Sequence, residues 1–141
     1  MANVKISGMT AGTALTGTEA FESVQGGNTR QLTASQIKTY VDKATYTYNV
    51  PVTGFSITIT NGTQYLILAP AGNLASGTIT LPAGPLDGES LTISCTHNVS
   101  SLTLTPGAGQ TIANTSASLN AGVGISFLYR SANATWYRTS S

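Results

Sequence analysis

A strict alternation of apolar and small polar residues runs through the larger part of this chain. In the run FSITIT (Phe55–Thr60), the three apolar side chains share one side of an extended strand, since successive side chains point to opposite faces. The run Val123–Arg130 repeats the pattern with aliphatic and aromatic residues at every second position. This period of two predicts β-strands that each bury one face, and it differs from the 3.6-residue period of an amphipathic helix.

Short strands of this kind are separated by turn residues. Asn61-Gly62 predicts a hairpin turn from which Tyr65–Ala69 returns beside the preceding strand. Strands with turn signals at such spacing are typical of antiparallel sandwiches and barrels. Two segments, GTITLPAG and SLTLTPGAG, resemble each other, but a solenoid needs at least three stacked repeats. We therefore predict a mainly β protein with a small antiparallel β-sandwich or jelly-roll-like domain over residues 46–141.

The first 45 residues differ from this β domain in charge, because they carry seven of the eleven formal charges. Frequent glycines and scattered apolar residues predict an extended arm with short strands at Asn3–Ile6 and Ala20–Val24, and Gly26-Gly27 is a turn signal. One short helix is predicted over about residues 34–43, with Thr33 and Gln36 forming a capping box.

The predicted helix has a single apolar stripe. A helix of about ten residues is unstable alone in water, so the stripe must pack on a partner surface. Three partner surfaces are open: the β domain, a neighbouring copy of the chain, or the surface on which the protein sits. Of these, we predict an interface between copies of the chain. The stripe consists of Ile37, Tyr40, Val41 and Ala44.

Residues that support catalysis are few. Charged residues make up 8% of the chain, against about 25% in a typical soluble domain. Asp87 and Glu89 flank Gly88 in a turn, where Asp-Gly is favoured for backbone reasons, and Cys95 in an apolar run is predicted to be a buried thiol. The single histidine, His97, has no third group to orient it as a base for Cys95. The prediction is a non-enzymatic protein without a metal or cofactor.

Charge and hydropathy also bear on partners and location. A net charge of +1 without clustered Lys or Arg predicts no nucleic-acid binding, and the absence of an 18-residue apolar run predicts no membrane insertion. The N-terminal residues lack the apolar centre of a signal peptide, so synthesis in a cytoplasm is expected. Trp136 and Tyr137 leave two interpretations open: an exposed aromatic contact for a glycan, or a core anchor in the last strand.

The N-terminal region resembles a segment found at the start of many tailed-phage virion proteins, especially tail fibres and related appendages. The resemblance covers about 40 residues, through ISGMTAGTALTGTE, then VQGGNTRQLT, then the short helix with Ile37 and Tyr40. The later runs GTITLP and LTLTPGAGQTI and the closing tryptophan look like β modules of such appendages.

This resemblance implies a structural protein on the exterior of a virion, made in the host cytoplasm, usually trimeric and attached by its N-terminal segment to capsid or tail proteins. The short chain favours a head fibre or capsid decoration protein, and the alternative is a short tail fibre or knob that binds a host surface glycan. The residues that the resemblance assigns to virion attachment are Thr16, Gly17, Thr18, Glu19, Gln25, Gly26, Gly27 and Arg30.

Overall fold

The computed structural model describes residues 20–25, 28–33, 35, 37 and 44–140. The chain divides into two compact units, Met1–Lys43 and Ala44–Ser141. Several predictions for the N-terminal arm lie outside the described residues. They are the strand Asn3–Ile6, most of the helix over 34–43, and the site residues Thr16, Gly17, Thr18, Glu19, Gly26, Gly27, Tyr40 and Val41.

The first unit contains an antiparallel pair of strands, β1 (Ala20–Gln25) and β2 (Asn28–Thr33). Strand β1 matches the strand predicted at Ala20–Val24, whereas β2 was not predicted, because its sequence NTRQLT lacks a regular apolar period. Gln25 pairs with Asn28, so the strands are joined by a two-residue connection. Ser35 and Ile37 have helical backbone, in the range where the helix is predicted.

The second unit consists almost entirely of short strands. A 3₁₀ helix, Ser131–Asn133, joins the last two of them. The strands are β3 (Tyr46–Asn49), β4 (Phe55–Thr58), β5 (Tyr65–Leu68), β6 (Leu74–Thr80), β7 (Ser90–Cys95), β8 (Val99–Thr105), β9 (Thr111–Ala113), β10 (Ile125–Arg130) and β11 (Thr135–Ser140).

Consecutive strands from β3 to β8 alternate between two sheets. Strands β3, β5 and β7 pair in parallel in one sheet, and β4, β6 and β8 pair in parallel in the other. Each strand pair β3–β4, β5–β6 and β7–β8 is therefore one coil, and the three coils stack as in a short β-solenoid. The prediction of a mainly β protein is confirmed, but the prediction of an antiparallel sandwich or jelly roll is wrong.

The error has a physical cause at the Asn61-Gly62 turn. Gly62 has a φ of 78°, as expected for a tight turn, and the Thr63 amide donates to the Thr60 carbonyl. The turn carries the chain from one sheet to the other instead of folding it back, so β5 pairs with β3 and β7 and not with β4. Alternation sets which face of a strand is buried, but it is the same for parallel and antiparallel neighbours.

The core lies between the two sheets and is filled by the inward residues of the coils. Leu66 and Leu68 of β5 and Ile79 of β6 are fully buried, and the ring of Phe127 from β10 is nearly so. Each side chain of this kind contributes about 1.5–3 kcal/mol through burial. Cys95 lies in the same core, as predicted for a structural thiol.

The third coil is followed by a different kind of element. Strand β10 pairs antiparallel with β7 and with β11, and β11 pairs in parallel with β9. On the other sheet, Val99 forms an antiparallel bridge with Leu119, which covers the edge of β8. The parallel stacking of coils therefore stops at β7 and β8, and we call this side of the unit the closed end.

Candidate functional site

The opposite side of the solenoid, at the first coil, carries a cluster of exposed tyrosines. Tyr46 and Tyr48 of β3 are 65% and 58% exposed, and Tyr65 of β5 is 45% exposed. Tyr46 is the register partner of Tyr65, and Tyr48 lies two residues further along the same face. Because neighbouring strands are about 4.8 Å apart, the three phenol rings form one surface, which we call the tyrosine face.

The polarity of β3 is inverted relative to the strands stacked on it. Thr47 is the register partner of the buried Leu66, and Asn49 is the partner of the buried Leu68. The small polar residues of β3 therefore point toward the core side, whereas its two aromatic residues point to the outside. A strand that only contributes to a core has the reverse arrangement.

Two further exposed aliphatic side chains follow β3 directly in the chain, at the corner between β3 and β4. Val50 is 65% exposed and Val52 is 75% exposed, on either side of Pro51. The corner is held to the next coil by the Gly54 amide, which donates to the Ser76 carbonyl at 2.9 Å. The tyrosine face, Val50 and Val52 together form the apolar surface of the first coil.

Strand β3 also presents backbone groups at an edge that no further described strand covers, which we call its open edge. The Tyr65 amide donates to the Thr45 carbonyl, and the Ala69 amide donates to the Asn49 carbonyl. Odd-numbered residues of β3 thus face β5, so the N–H and C=O groups of Tyr46 and Tyr48 point away from it. Among the described residues, β3 pairs only with β5 and β4 pairs only with β6.

This edge lacks the usual protection against pairing with other chains. Natural edge strands often carry charged residues, particularly Lys, or a proline. No charged residue occurs between Ala44 and Leu86, and Pro51 lies in the corner rather than in a strand. The two sheets of the second unit therefore both end on an uncharged first coil.

The two carboxylates that the sequence places in one turn have separate structural roles. Glu89 accepts hydrogen bonds from the amides of Gly62 and Leu86, at 3.2 and 2.9 Å. Asp87 accepts from the amide and the hydroxyl of Ser131, at 2.8 and 2.9 Å. The Ser131 amide, then its hydroxyl, and to a lesser degree the charge of Arg130, hold the pKa of Asp87 below its usual value. Each carboxylate therefore holds a loop of the second unit in place.

The aromatic pair of the last strand is split between the inside and the outside. Trp136 is fully buried, its ring lies 5.2 Å from that of Tyr129, and its Nε1 donates to Gln110 Oε1 at 2.9 Å. The prediction of Trp136 as a glycan contact is therefore wrong, and the alternative, a core anchor, is correct. Tyr137 is 38% exposed on the opposite face, where its hydroxyl oxygen accepts from Asn133 Nδ2.

The structure places the remaining predicted site residues in the first unit or at its boundary. Gln25 and Arg30 lie on the β1–β2 pair, where Arg30 is the register partner of Ser23. Ile37, from the predicted oligomer stripe, is 41% exposed, and Ala44 is exposed. The tyrosine face was only partly visible in sequence: Tyr46-Thr-Tyr48 indicates two rings on one face, but the third ring, Tyr65, depends on the parallel register.

Within the described ranges, no group of three or more His, Cys, Asp or Glu side chains is placed to hold a metal ion. The same residues include no helix with the length and hydropathy needed to span a membrane. No protein-family model matches the chain, and comparison with curated proteins and with solved structures finds no match.

Proposed function

We propose that this protein is a non-enzymatic structural component of a bacteriophage virion, specifically an oligomeric head fibre or capsid decoration protein attached by its N-terminal segment. The observation that carries the proposal is the division of the chain into two units of different character. The unit Met1–Lys43 holds the attachment-like motif, and the unit Ala44–Ser141 is a small, nearly uncharged β-solenoid.

The surface chemistry of the second unit supports this proposal. Only four charged residues occur from Ala44 onward, and two of them, Asp87 and Glu89, are engaged with loops of the same unit. Many copies of a protein on one shell repel one another less when each carries little charge. A trimer, the usual state of the appendages that the N-terminal motif resembles, brings identical patches together around a closed axis.

The attachment role of the first unit is tested with particles that carry the protein. Deletion of residues 1–30, and the point variant Arg30→Glu, are expected to lower the number of copies retained on purified particles. Arg138→Glu, the same charge change in the second unit, is the matched control and is expected to leave occupancy unchanged. Full occupancy by the deletion variant would show that the N-terminal segment does not attach the protein.

The alternative function is a short tail fibre or tail-associated knob that binds a host surface glycan. The exposed tyrosines favour this alternative, because aromatic rings with polar tips suit sugar surfaces. A reconstruction of the intact particle separates the two proposals, since it locates the protein on the head or on the tail. Binding to a glycan array that is lost in Tyr48→Ala and retained in Tyr137→Ala would favour the alternative.

A further inference from the structure

We propose that the first coil of the solenoid is the surface through which copies of this chain associate. In this arrangement Tyr46, Tyr48 and Tyr65, with Val50 and Val52, pack against a second copy and cover the open edge of β3. The inference rests on the proposed function, because it locates the contact that an oligomeric virion component requires. It also moves that contact from the predicted helix stripe to the β domain.

The distribution of exposed apolar side chains supports this location. Among the described residues, five bulky apolar side chains are more than half exposed, and four of them lie within the seven residues from Tyr46 to Val52. The fifth, Leu86, is isolated in a loop. Single exposed apolar residues are normal on a protein surface, whereas a contiguous group marks an interaction site.

The inverted polarity of β3 also supports self-association through the first coil. If β3 served only to cover the inner core, aromatic residues at positions 47 and 49 would lie over Leu66 and Leu68 and bury more apolar surface. The chain instead has Thr47 and Asn49 there and tyrosines on the outside. The outer face of β3 therefore has the composition of a buried layer, with polar Thr92 and Ser94 of β7 further along the same sheet face as a rim.

A second copy fits this surface better than a glycan does. A glycan that stacks on the tyrosine rings leaves the aliphatic Val50 and Val52 and the outward backbone groups of β3 uncovered. A protein surface covers all three. A self-association interface must also be compatible with itself, and a patch without charge meets its own image without like-charge repulsion.

The size of the patch indicates that it forms the centre of the interface. At 45–65% exposure, the three tyrosines offer roughly 300 Å² of side-chain surface, against about 800 Å² per partner in a standard interface. The valines and the edge of β3 enlarge this area. Tyrosine-rich centres surrounded by polar residues are typical of interfaces in which a few aromatic side chains dominate the affinity.

The test is the molecular mass of the isolated full-length protein in solution at micromolar concentration. The wild type is expected to sediment at a multiple of its 14.4 kDa monomer mass. Tyr48→Lys and Val52→Lys are expected to shift it to the monomer, with self-association weakened at least about tenfold. Leu86→Lys, the same type of change at an equally exposed residue outside the first coil, is the matched control and is expected to retain the wild-type mass. Tyr48→Phe, which keeps the ring, is expected to retain it as well.

Three results would overturn the inference: a monomeric wild type, a Tyr48→Lys variant with unchanged mass, or equal effects of Val52→Lys and Leu86→Lys. A monomeric wild type that binds a glycan saturably, with binding lost in Tyr48→Lys, would assign the tyrosine face to carbohydrate instead. Circular dichroism of each variant distinguishes lost association from lost folding. Particle occupancy does not enter this experiment, so its failure is distinct from failure of the proposed virion function.

Discussion

The two ends of the solenoid use aromatic residues in opposite ways. At the closed end, Trp136 is fully buried and Tyr129 is 7% exposed, with their rings in contact. At the first coil, Tyr46 and Tyr48 are more than half exposed while small polar residues face inward. At the closed end, Trp136 and Tyr129 are buried against each other within the chain. At the first coil, Tyr46 and Tyr48 are exposed and available to another molecule.

The difference arises from the strands that lie beyond each terminal coil in its sheets. Beyond β7, the strand β10 runs antiparallel and ends the stacking, and its partner β11 places the buried Trp136 opposite Tyr129. Beyond β3 and β4, no further described strand is added. Terminal repeats of a solenoid need a cap, which the C-terminal hairpin supplies at one end. Four predictions test this contrast between the two ends, ordered by the size of the expected effect.

The largest effect is expected from removing the aromatic anchor of the closed end. Trp136→Ala leaves a cavity in the core and should lower the free energy of unfolding by about 3–5 kcal/mol. Tyr48→Ala at the first coil should change the stability of the monomer by less than about 0.5 kcal/mol, since its side chain is more than half exposed. Urea unfolding of both variants at high dilution measures the difference. Losses of similar size would show that the two ends are not distinct in packing.

Two glutamines provide a matched comparison of hydrogen bonding at the two ends. Gln110 Nε2 donates to the carbonyls of Pro82 and Ala83, and its Oε1 accepts from the buried Trp136. Gln110→Ala should cost about 1–3 kcal/mol, because it leaves the indole N–H without a partner. Gln64→Ala removes only an exposed bond from the Thr45 amide and should cost well under about 1 kcal/mol. Denaturant midpoints compare the two variants, and an equal shift would contradict the contrast.

A close contact between the first and second coils predicts a smaller effect. A Cβ at Gly77 would lie 2.1 Å from the Phe55 ring, so Gly77→Ala must displace that ring. Because the ring is only partly buried, we expect a cost of about 1 kcal/mol, at the low end for overpacking. In a Phe55→Ala background the same change should cost close to nothing. A double-mutant cycle measures this coupling, and additive costs would mean that the ring is not the obstacle.

The smallest effect concerns the loop that Asp87 fastens. The pKa of Asp87 is lower in the folded protein than its unfolded value of 3.8. The contribution of Asp87 to stability is therefore present above pH 3.8 and is lost as pH falls through the folded pKa. Asp87→Asn should therefore lower Tm slightly near neutral pH, and the difference from wild type should shrink as pH falls below 3.8. Thermal melts across this range test the sign. A difference that grows as pH falls would contradict the assigned contact with Ser131.

Much of the local structure could be predicted from residue order. The alternation over Phe55–Thr60 and Val123–Arg130 predicted strands that are present as β4 and β10, although β4 ends at Thr58. Cys95 was expected in the core and is buried there. Asp87 and Glu89 were expected to flank a turn at Gly88, which has a positive φ of 78°. Each of these predictions depends only on near neighbours in the chain, where period, propensity and turn chemistry act directly.

The pairing of strands was decided by tertiary structure. Whether Tyr65 returns beside β4 or crosses to β3 depends on how the Asn61-Gly62 turn is oriented, and the alternating pattern is the same in both cases. The unequal spacing of Tyr46, Tyr65 and Thr92 along the chain also hides the stacking from a search for fixed repeats. The parallel register of β3 and β5 joins Tyr65 to Tyr46 in one surface, and the antiparallel pairing of β10 and β11 places Trp136 opposite Tyr129 at the closed end. Such contacts between distant residues are formed by packing and not by sequence period.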